Sequence, residues 1–306
     1  MIVVENAKLG QLVWYVGRPL LALFALDLAI VVAYVFGGWK WLALPDIPLS
    51  IFGGVIGVIV SFRNTSAYAR WWEARIIWGG VVNNSRSFAR QVLCLIHTPE
   101  TGGTELREFE QTKRTLILLQ IAYVHSLGNH LRGNAPWNDL AGLISEPEME
   151  GLRTQSNVPL AIQQKIARTV AQCHERGWID SIRWVSLDRT LSNLMDCQGA
   201  AERIKNTPMP LQYERFIRVS IQIYCLLLPL GMVQSLGLLT PFGSTFVGFM
   251  FLALDRIGRD LERPFENLPN DVSLSAIGRT IEINLKQMIR EREIPQPLAP
   301  IDGVLW

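Results

Sequence analysis

The longest apolar stretch of the chain covers residues 219–254, which include no Asp, Glu, Lys or Arg. Arg218 precedes this stretch and Asp255 follows it. At about 1.5 Å per residue, a straight helix of this length would measure roughly 54 Å, nearly twice a bilayer's hydrocarbon core of about 30 Å. The stretch also holds residues that favour a turn: Pro229, Gly231, Gly237, Pro241 and Gly243. The pattern therefore predicts two membrane helices that meet in a short turn.

Two further apolar runs lie near the N-terminus, at residues 20–39 and 47–62. The second run has no charged residue, and the first has one, Asp27. Each run predicts a further membrane helix. A carboxylate inside a membrane is a functional candidate by default. The alternative for Asp27 is a packing role, with hydrogen bonds to Ser, Thr or Gln on a neighbouring helix.

Charged residues are sparse and unevenly placed along the chain. They make up 18% of the sequence, against about 25% in soluble domains, and the formal net charge is +2. Of the 29 basic residues, only Lys40 lies within the four apolar segments and their two short connections. Basic residues near membrane helices mark the cytoplasmic side of a bilayer. We therefore expect four spans, with both termini and the large middle segment in the cytoplasm.

The middle segment is predicted to be helical. Apolar residues recur at three- and four-residue spacings over residues 105–131 and 186–205, and no long run alternates with period two. Loops are expected at residues 98–104, 133–137 and 156–159. We predict an all-α integral membrane protein that forms a single unit. Its consecutive parts are residues 19–62 (two membrane helices), 63–215 (a mainly cytoplasmic helical region), 216–254 (two membrane helices) and 255–306 (a cytoplasmic C-terminal segment).

No residue pattern indicates an enzyme. The four histidines form neither a His-x-x-His nor a His-Glu-x-x-His motif, and no nucleophile or phosphate-loop motif is present. The four cysteines include no Cys-x-x-Cys pair and are expected to be free, buried thiols. Acidic runs balance the basic ones, which argues against a nucleic-acid surface. We expect no catalytic residue, no cofactor, no metal ion and no nucleic-acid partner.

One segment carries two stripes of residues at four-residue spacing. No proline occurs from residue 49 to residue 96, so a single long helix is expected to leave the bilayer there. Gly53 and Gly57 form a Gly-x-x-x-Gly face, which permits close approach of another helix. Gly54, Val58 and Phe62 form the second stripe. Either both stripes are packing faces, or one packs while the other lines a path for ions.

Three sequence blocks resemble the signature of the bestrophin family of channels, in its bacterial branch, and they occur in the family's order over most of the chain. The first block is Phe62-Arg63-Asn64, Tyr68, Arg70, Glu73-Ala74-Arg75 and Trp78-Gly79. The second is Glu202-Arg203-Ile204 followed by Thr207-Pro208-Met209-Pro210-Leu211. The third is Asp255, Asp260-Leu261-Glu262, Pro264-Phe265, Asn270-Asp271 and Thr280-Ile281-Glu282-Ile283-Asn284-Leu285.

The resemblance implies a homopentamer in a bacterial inner membrane that passes small monovalent ions through one axial pore. Matched residue by residue, the family's narrow hydrophobic neck falls on Gly54, Val58 and Phe62. Gly54 departs from the family's usual bulky apolar residue, so the barrier is expected to rest on the other two. The family's second constriction, a cytoplasmic aperture, falls on Ile182, for which the alternative is a buried core isoleucine.

The resemblance also bears on the sign of the permeant ion and on activation by calcium. The resemblance implies chloride, and cations are the alternative, since eukaryotic members favour anions while bacterial members have been associated with cation passage. No charged residue lies in residues 47–62, so no charged ring in that helix decides the sign. Arg63 is rotated about 100° from Phe62 on a helix and is expected to pair across subunits or with a lipid headgroup. Eukaryotic members hold calcium in a run of acidic residues after a Pro-Phe pair, whereas residues 264–271 offer one Glu and one distal Asp. We therefore predict no comparable calcium activation.

Two other functions stay open on the sequence alone. A non-conducting oligomeric membrane scaffold would show the same apolar helices. A secondary transporter would show matching interruptions in both pairs of membrane helices, and the first pair has none. The proline-rich segment from Ile294 onward is predicted to be extended, and it is a candidate for closing the exit of the pore.

Overall fold

The computed structural model describes residues 15–44, 47–97 and 104–306. These residues form ten α-helices and no strand, as the all-α prediction requires. The helices are α1 Gly17–Val35, α2 Leu49–Leu95, α3 Thr104–Arg132, α4 Trp137–Leu140, α5 Glu146–Arg153, α6 Val158–Glu175, α7 Ser181–Asn206, α8 Leu211–Leu236, α9 Thr240–Glu262 and α10 Leu274–Met288.

The longest apolar stretch forms two helices, as predicted. Helix α8 ends at Leu236, a 3-10 turn covers Gly237–Leu239, and α9 begins at Thr240. Gly237 has φ of +51°, a conformation that glycine adopts without a steric penalty. Pro241 lies in the first turn of α9, where a missing N–H costs no hydrogen bond, whereas Pro229 lies inside α8 without ending it.

Three segments of the described chain are long and apolar enough to cross a membrane. They are Gly17–Val35, Leu49–Leu95 and Leu211–Glu262, and the last contains α8, the turn and α9. The first helix ends four residues before the end of the predicted run, because Gly38 follows it with φ of +71°. Helix α2 is 47 residues long, which confirms the prediction of one long helix over the proline-free segment.

Residue contacts divide the chain into two compact units. The first, here called the apolar unit, comprises the described parts of Val4–Trp71 and Pro208–Arg263. In it α1, α8 and α9 pack against one another. Its buried apolar cluster is small and includes Leu23, Val60 and Ile221. Many of its large apolar side chains are exposed, which is the pattern of helices whose outer solvent is lipid.

The second unit, here called the large-core unit, comprises Trp72–Thr207 and the segment from Pro264 onward. Helix α3 packs against α6, α7 and α10, and α6 also packs against α7. Its interior is a continuous cluster of buried side chains with large aromatic members, among them Trp78, Phe88 and Tyr123. This is the ordinary organisation of a helical domain with a water-facing surface.

Several loop and burial predictions are corrected in detail. Residues 98–103 lie outside the described part of the chain. Helix α3 ends before Gly133, whose φ is +71°, as the loop prediction at residues 133–137 requires. The predicted loop at residues 156–159 is shorter, because α6 starts at Val158 and the Asn157 side chain accepts a hydrogen bond from Leu160 N at 3.1 Å. All four cysteines are free, but Cys94 is exposed and Cys197 is half-buried, so only Cys173 and Cys225 are buried as predicted.

Candidate functional site: the first half of helix α2

The predicted neck residues share one exposed side of α2 within the apolar unit. Val58 is 56% exposed and Phe62 is 66% exposed, although both are large apolar side chains. Gly54 is also exposed, and a Cβ placed on it would meet no atom within 4 Å. An exposed stripe is a necessary property of residues that line a pore between subunits, and these three residues have it.

Exposure alone does not single out this stripe. Ile51 and Val55 lie on the same helix and are 63% and 54% exposed. The exposed side of α2 is therefore wider than a pore lining requires, and it also leaves surface for lipid or a second subunit. Ile51 and Val55 are also four residues apart, so neither exposure nor spacing separates Gly54, Val58 and Phe62 from them, and only the family resemblance does.

The opposite side of α2 packs inside the apolar unit. Val60 and Ala67 are buried. A Cβ on Gly53 would lie 2.5 Å from the Tyr224 hydroxyl, so this glycine permits the close approach that the Gly-x-x-x-Gly pattern predicts. A Cβ on Gly57 would meet nothing within 4 Å, so the second glycine has no such role in the subunit.

Arg63, the residue after Phe62, is buried and paired within the same subunit. Its Nη1 donates to Asp255 Oδ1 at 2.6 Å, and its Nη2 donates to the Asp255 backbone oxygen at 2.5 Å. Asn64 Nδ2 donates to the Leu254 backbone oxygen at 3.0 Å. The prediction that Arg63 pairs across subunits or with a lipid headgroup is therefore wrong. The interaction fixes α2 to α9 directly beside Phe62.

Gly258 makes this approach of the two helices sterically feasible. A Cβ at this position would lie 2.0 Å from Asn64 Oδ1 and 2.2 Å from Arg63 Nη2, which no real side chain tolerates. Asp255, the partner of Arg63, also forms an ion pair with Arg259, whose Nη2 lies 3.0 Å from Asp255 Oδ2. Asp255 therefore pairs with two arginines. The sequence carried one signal of this arrangement: Asp255 is the first carboxylate after the long apolar stretch.

Asp27 has the packing role that was one of its two predicted alternatives. It is fully buried between α1 and α9. Ser244 Oγ donates to Asp27 Oδ1 at 3.1 Å, and Thr245 Oγ1 donates to Asp27 Oδ2 at 3.0 Å. A carboxylate that is satisfied on both oxygens joins two helices, because an apolar environment offers no competing donor.

Ile182 is the most exposed of the predicted site residues. It is the second residue of α7, it lies in the large-core unit, and its exposed fraction is 83%. The alternative that it is a core isoleucine of the subunit is wrong. The N-terminal turn of α7 is capped by Asp180, whose Oδ1 accepts a hydrogen bond from Arg183 N at 2.9 Å.

Residues 264–271, which the resemblance aligns with a calcium-binding run, form a closed turn. Asp271 Oδ2 accepts a hydrogen bond from Leu268 N at 3.0 Å, and Glu266 pairs with Lys205 at 3.0 Å. Burial raises the pKa of Asp271 to about 6, although backbone N–H groups and Arg132 oppose this shift. Within the described residues, no group of three or more His, Cys, Asp or Glu side chains is placed to hold a metal ion.

The three blocks that carry the family resemblance contact one another within each unit. In the apolar unit, Arg63 binds Asp255, and Arg70 Nε donates to the Glu262 backbone oxygen at 2.8 Å. In the large-core unit, Arg203 Nη2 pairs with Glu73 Oε1 at 2.6 Å. These long-range partners were not identified from the sequence, because spacing along the chain gives no information on contacts between distant helices.

Known proteins are similar to this chain over most of its length. Residues 7–287 match the family described as Bacterial/Fungal Bestrophin protein. A voltage-dependent anion channel-forming protein of Ralstonia nicotianae is 33% identical over 257 residues, which cover 84% of this chain and 81% of that protein. The voltage-dependent anion channel-forming protein YneE of Salmonella typhi is 31% identical over 291 residues, which cover 95% and 92% respectively. Among solved structures, a bacterial bestrophin homologue from Klebsiella pneumoniae has a TM-score of 0.82 at 29% identity, covering 90% of this chain and 98% of that one.

Proposed function

The chain is a member of the bacterial and fungal bestrophin family, and on that premise we propose that it forms a homopentameric anion channel of the inner membrane. Four helices of each subunit cross the bilayer, and both termini lie in the cytoplasm. The anion channel-forming relatives support the function, and the exposed stripe on α2 supports the placement of the pore. The observation that carries the proposal is the exposure of Val58 and Phe62 on a helix whose other side is fixed by a buried ion pair.

Five copies of Val58 and Phe62 around one axis form an apolar neck. Gly54 adds no side chain to this ring, so the barrier rests on the two larger residues. An ion that enters an apolar constriction loses hydrating water without compensation, so conduction requires the neck to fill with water. The neck then acts as a gate, and the free energy needed to fill it with water depends on the size of these side chains.

The Arg63–Asp255 pair has two consequences for this neck. It holds α2 against α9 at the level of Phe62, so the ring has a defined position. It also keeps the nearest charge away from the exposed side of α2, because Arg63 is buried in the subunit and bound to Asp255. Selectivity therefore depends on dehydration and on helix dipoles rather than on a ring of charges at the neck.

A second constriction is assigned to Ile182 at the cytoplasmic end of the pathway. Its exposed side chain at the N-terminus of α7 is available to a fivefold ring. The resemblance supports this role. In the proposed channel, this aperture restricts ions by size after they have passed the neck.

The neck assignment is tested with Phe62→Ala, measured as single-channel current of purified protein in a planar bilayer. We expect a larger conductance or a constant leak, because smaller side chains leave a wider opening that stays filled with water. Val55→Ala is the matched control, since Val55 is an exposed apolar residue of the same helix outside the stripe. Size-exclusion chromatography must show the same oligomer for both variants. Unchanged current in Phe62→Ala, or an equal increase in Val55→Ala, would contradict the assignment.

The sign of the permeant ion is read from the reversal potential in asymmetric NaCl. For an anion channel, a tenfold gradient moves this potential by up to about 59 mV toward the chloride equilibrium potential. A shift toward the sodium equilibrium potential would replace the anion proposal with a cation channel. Assembled protein that carries no current even as Phe62→Ala would support a non-conducting scaffold instead.

A further inference from the structure

A groove of about 490 Å³ lies within the apolar unit, between α1, α8 and α9. Its floor is apolar and includes Ala22, Leu23 and Leu26 of α1. Leu226 of α8 and Leu252 of α9 continue this lining. The floor therefore matches the chemistry of a hydrocarbon chain.

Three arginines lie at one end of the same groove. They are Arg218, Arg256 and Arg259, and all three border it directly. Arg218 immediately precedes the uncharged stretch of residues 219–254, and the other two follow shortly after its end. The arginines therefore lie where the apolar helices leave the hydrocarbon, at the depth of lipid headgroups.

Neighbouring carboxylates only partly neutralise this end of the groove. Arg218 pairs with Glu214, Arg259 pairs with Asp255 at 3.0 Å, and Arg256 is 3.6 Å from Asp260. Because Asp255 also binds Arg63, four guanidinium groups share three carboxylates. Among these described groups, one positive charge is therefore in excess.

Two of these arginines also have unused hydrogen-bond donors. The Nε atoms of Arg218 and Arg259 are buried, and neither has a hydrogen-bond partner among the described residues. Arg256 is held in place, with its guanidinium 5.1 Å from the centre of the Tyr15 ring. A buried donor that lacks an acceptor costs free energy, so an anionic group at this end would relieve that cost. Arginine suits phosphate, because its donors match two oxygens at once.

We propose that this groove binds an anionic diacyl phospholipid, with its phosphate among Arg218, Arg256 and Arg259 and one acyl chain along the floor. The occupant is a lipid rather than a free phosphate, because a free anion makes no use of the apolar floor. The lipid comes from the leaflet that faces the basic ends of these helices.

The proposal is tested by native mass spectrometry of the purified full-length protein. The probe is an equimolar mixture of phosphatidylglycerol and phosphatidylcholine in detergent. Wild-type protein is expected to retain phosphatidylglycerol in preference. Arg256→Gln should weaken this retention roughly fivefold, and the double variant with Arg218→Gln more strongly, because each basic residue near an anionic lipid contributes about 1 kcal/mol. Arg215→Gln is the control, since Arg215 is an exposed neighbour outside the groove.

A second variant tests the apolar floor while the charges stay in place. Ala22→Trp fills the groove and should abolish retention of both lipids without changing the oligomer. Equal retention by wild type and the arginine variants would overturn the proposal. Displacement of the lipid by millimolar inorganic phosphate, with Ala22→Trp still binding, would identify a free-anion site instead. Loss of the oligomer in Ala22→Trp would show that the groove is an interface between copies, which would also overturn it.

Discussion

The two units of the chain place apolar side chains in opposite ways. In the large-core unit, aromatic residues such as Trp78 and Phe88 are fully buried in one continuous cluster. In the apolar unit, large apolar residues such as Phe62 and Phe246 are mostly exposed, and the buried cluster is small. Burial from water drives the first arrangement, whereas lipid gives helices no comparable reason to bury apolar surface.

The two units also differ in where they place their charged groups. The apolar unit buries Asp27, Arg63 and Asp255, and each of them has a hydrogen-bond partner in another helix. The large-core unit places many of its ion pairs at the surface, as in Arg203–Glu73 and Arg176–Glu108. Helices of the apolar unit are thus joined by buried charged groups, whereas the large-core unit buries mainly uncharged polar side chains, such as Gln120 and Ser85, within its apolar packing.

The largest expected change in the free energy of unfolding comes from breaking the buried ion pair of the apolar unit, and an exposed ion pair of the large-core unit serves as its comparison. Arg63–Asp255 and Arg203–Glu73 have the same 2.6 Å separation, but the side chains are 1% and 5% exposed in the first pair and 66% and 48% in the second. Arg63→Ala leaves a buried carboxylate with one partner fewer and should lower the free energy of unfolding by about 3–5 kcal/mol. Arg203→Ala should cost at most about 1 kcal/mol.

These two losses are measured by thermal and denaturant unfolding of the detergent-solubilised protein. Replacing both partners, as Arg63→Met with Asp255→Leu, should recover much of the stability, because neither charge of the buried pair remains and Arg259, the other partner of Asp255, is 34% exposed. Equal losses for Arg63→Ala and Arg203→Ala would show that burial does not separate the two pairs.

A smaller effect is expected at Asp271, a buried carboxylate of the large-core unit with no salt bridge among the described residues. Because burial raises its pKa to about 6 in the folded state, ionisation is penalised there. The folded protein is therefore most stable with respect to this group below about pH 4, where Asp271 is protonated in both states. This stability is lost as the pH rises through 6. Asp271→Asn should remove this dependence and raise the free energy of unfolding at pH 7 by up to about 3 kcal/mol.

The pH effect is measured by unfolding the wild type and the variant at several values between pH 4 and pH 7. Asp196→Asn is the matched control, because Asp196 is an exposed carboxylate of the same unit. A variant whose stability changes with pH as steeply as that of the wild type would refute the role of Asp271.

The smallest of these effects concerns helix approach. Gly258→Ala places a Cβ against Asn64 and Arg63, so α2 and α9 must separate or the ion pair must shift. We expect a loss of about 1–3 kcal/mol. Gly199 is an exposed helical glycine of the large-core unit, and a Cβ on it would meet no atom within 4 Å. Gly199→Ala should instead raise the free energy of unfolding by up to about 1 kcal/mol. Thermal unfolding separates the two, and a neutral Gly258→Ala would remove the argument for close contact.

The helices of the apolar unit were largely predictable from sequence. Each apolar run gave a helix, the break at Gly237 fell inside the predicted turn region, and the proline-free segment gave one long helix. These signals are local, because hydropathy, glycine and proline act within a few residues. The loop at residues 156–159 was partly wrong, since Asn157 caps a helix that starts earlier than expected.

The sequence by itself determined an all-helical chain with long apolar helices and no charge along the stripe of Gly54, Val58 and Phe62. Only the tertiary structure decided which side of α2 is exposed and that Arg63 pairs with Asp255, 192 residues away. It also decided which alternative holds for Asp27 and that Gly258 lies against Asn64. The reason is physical: a helix forms from the residues of one segment, whereas a charge chooses its partner among all the segments that folding brings within reach.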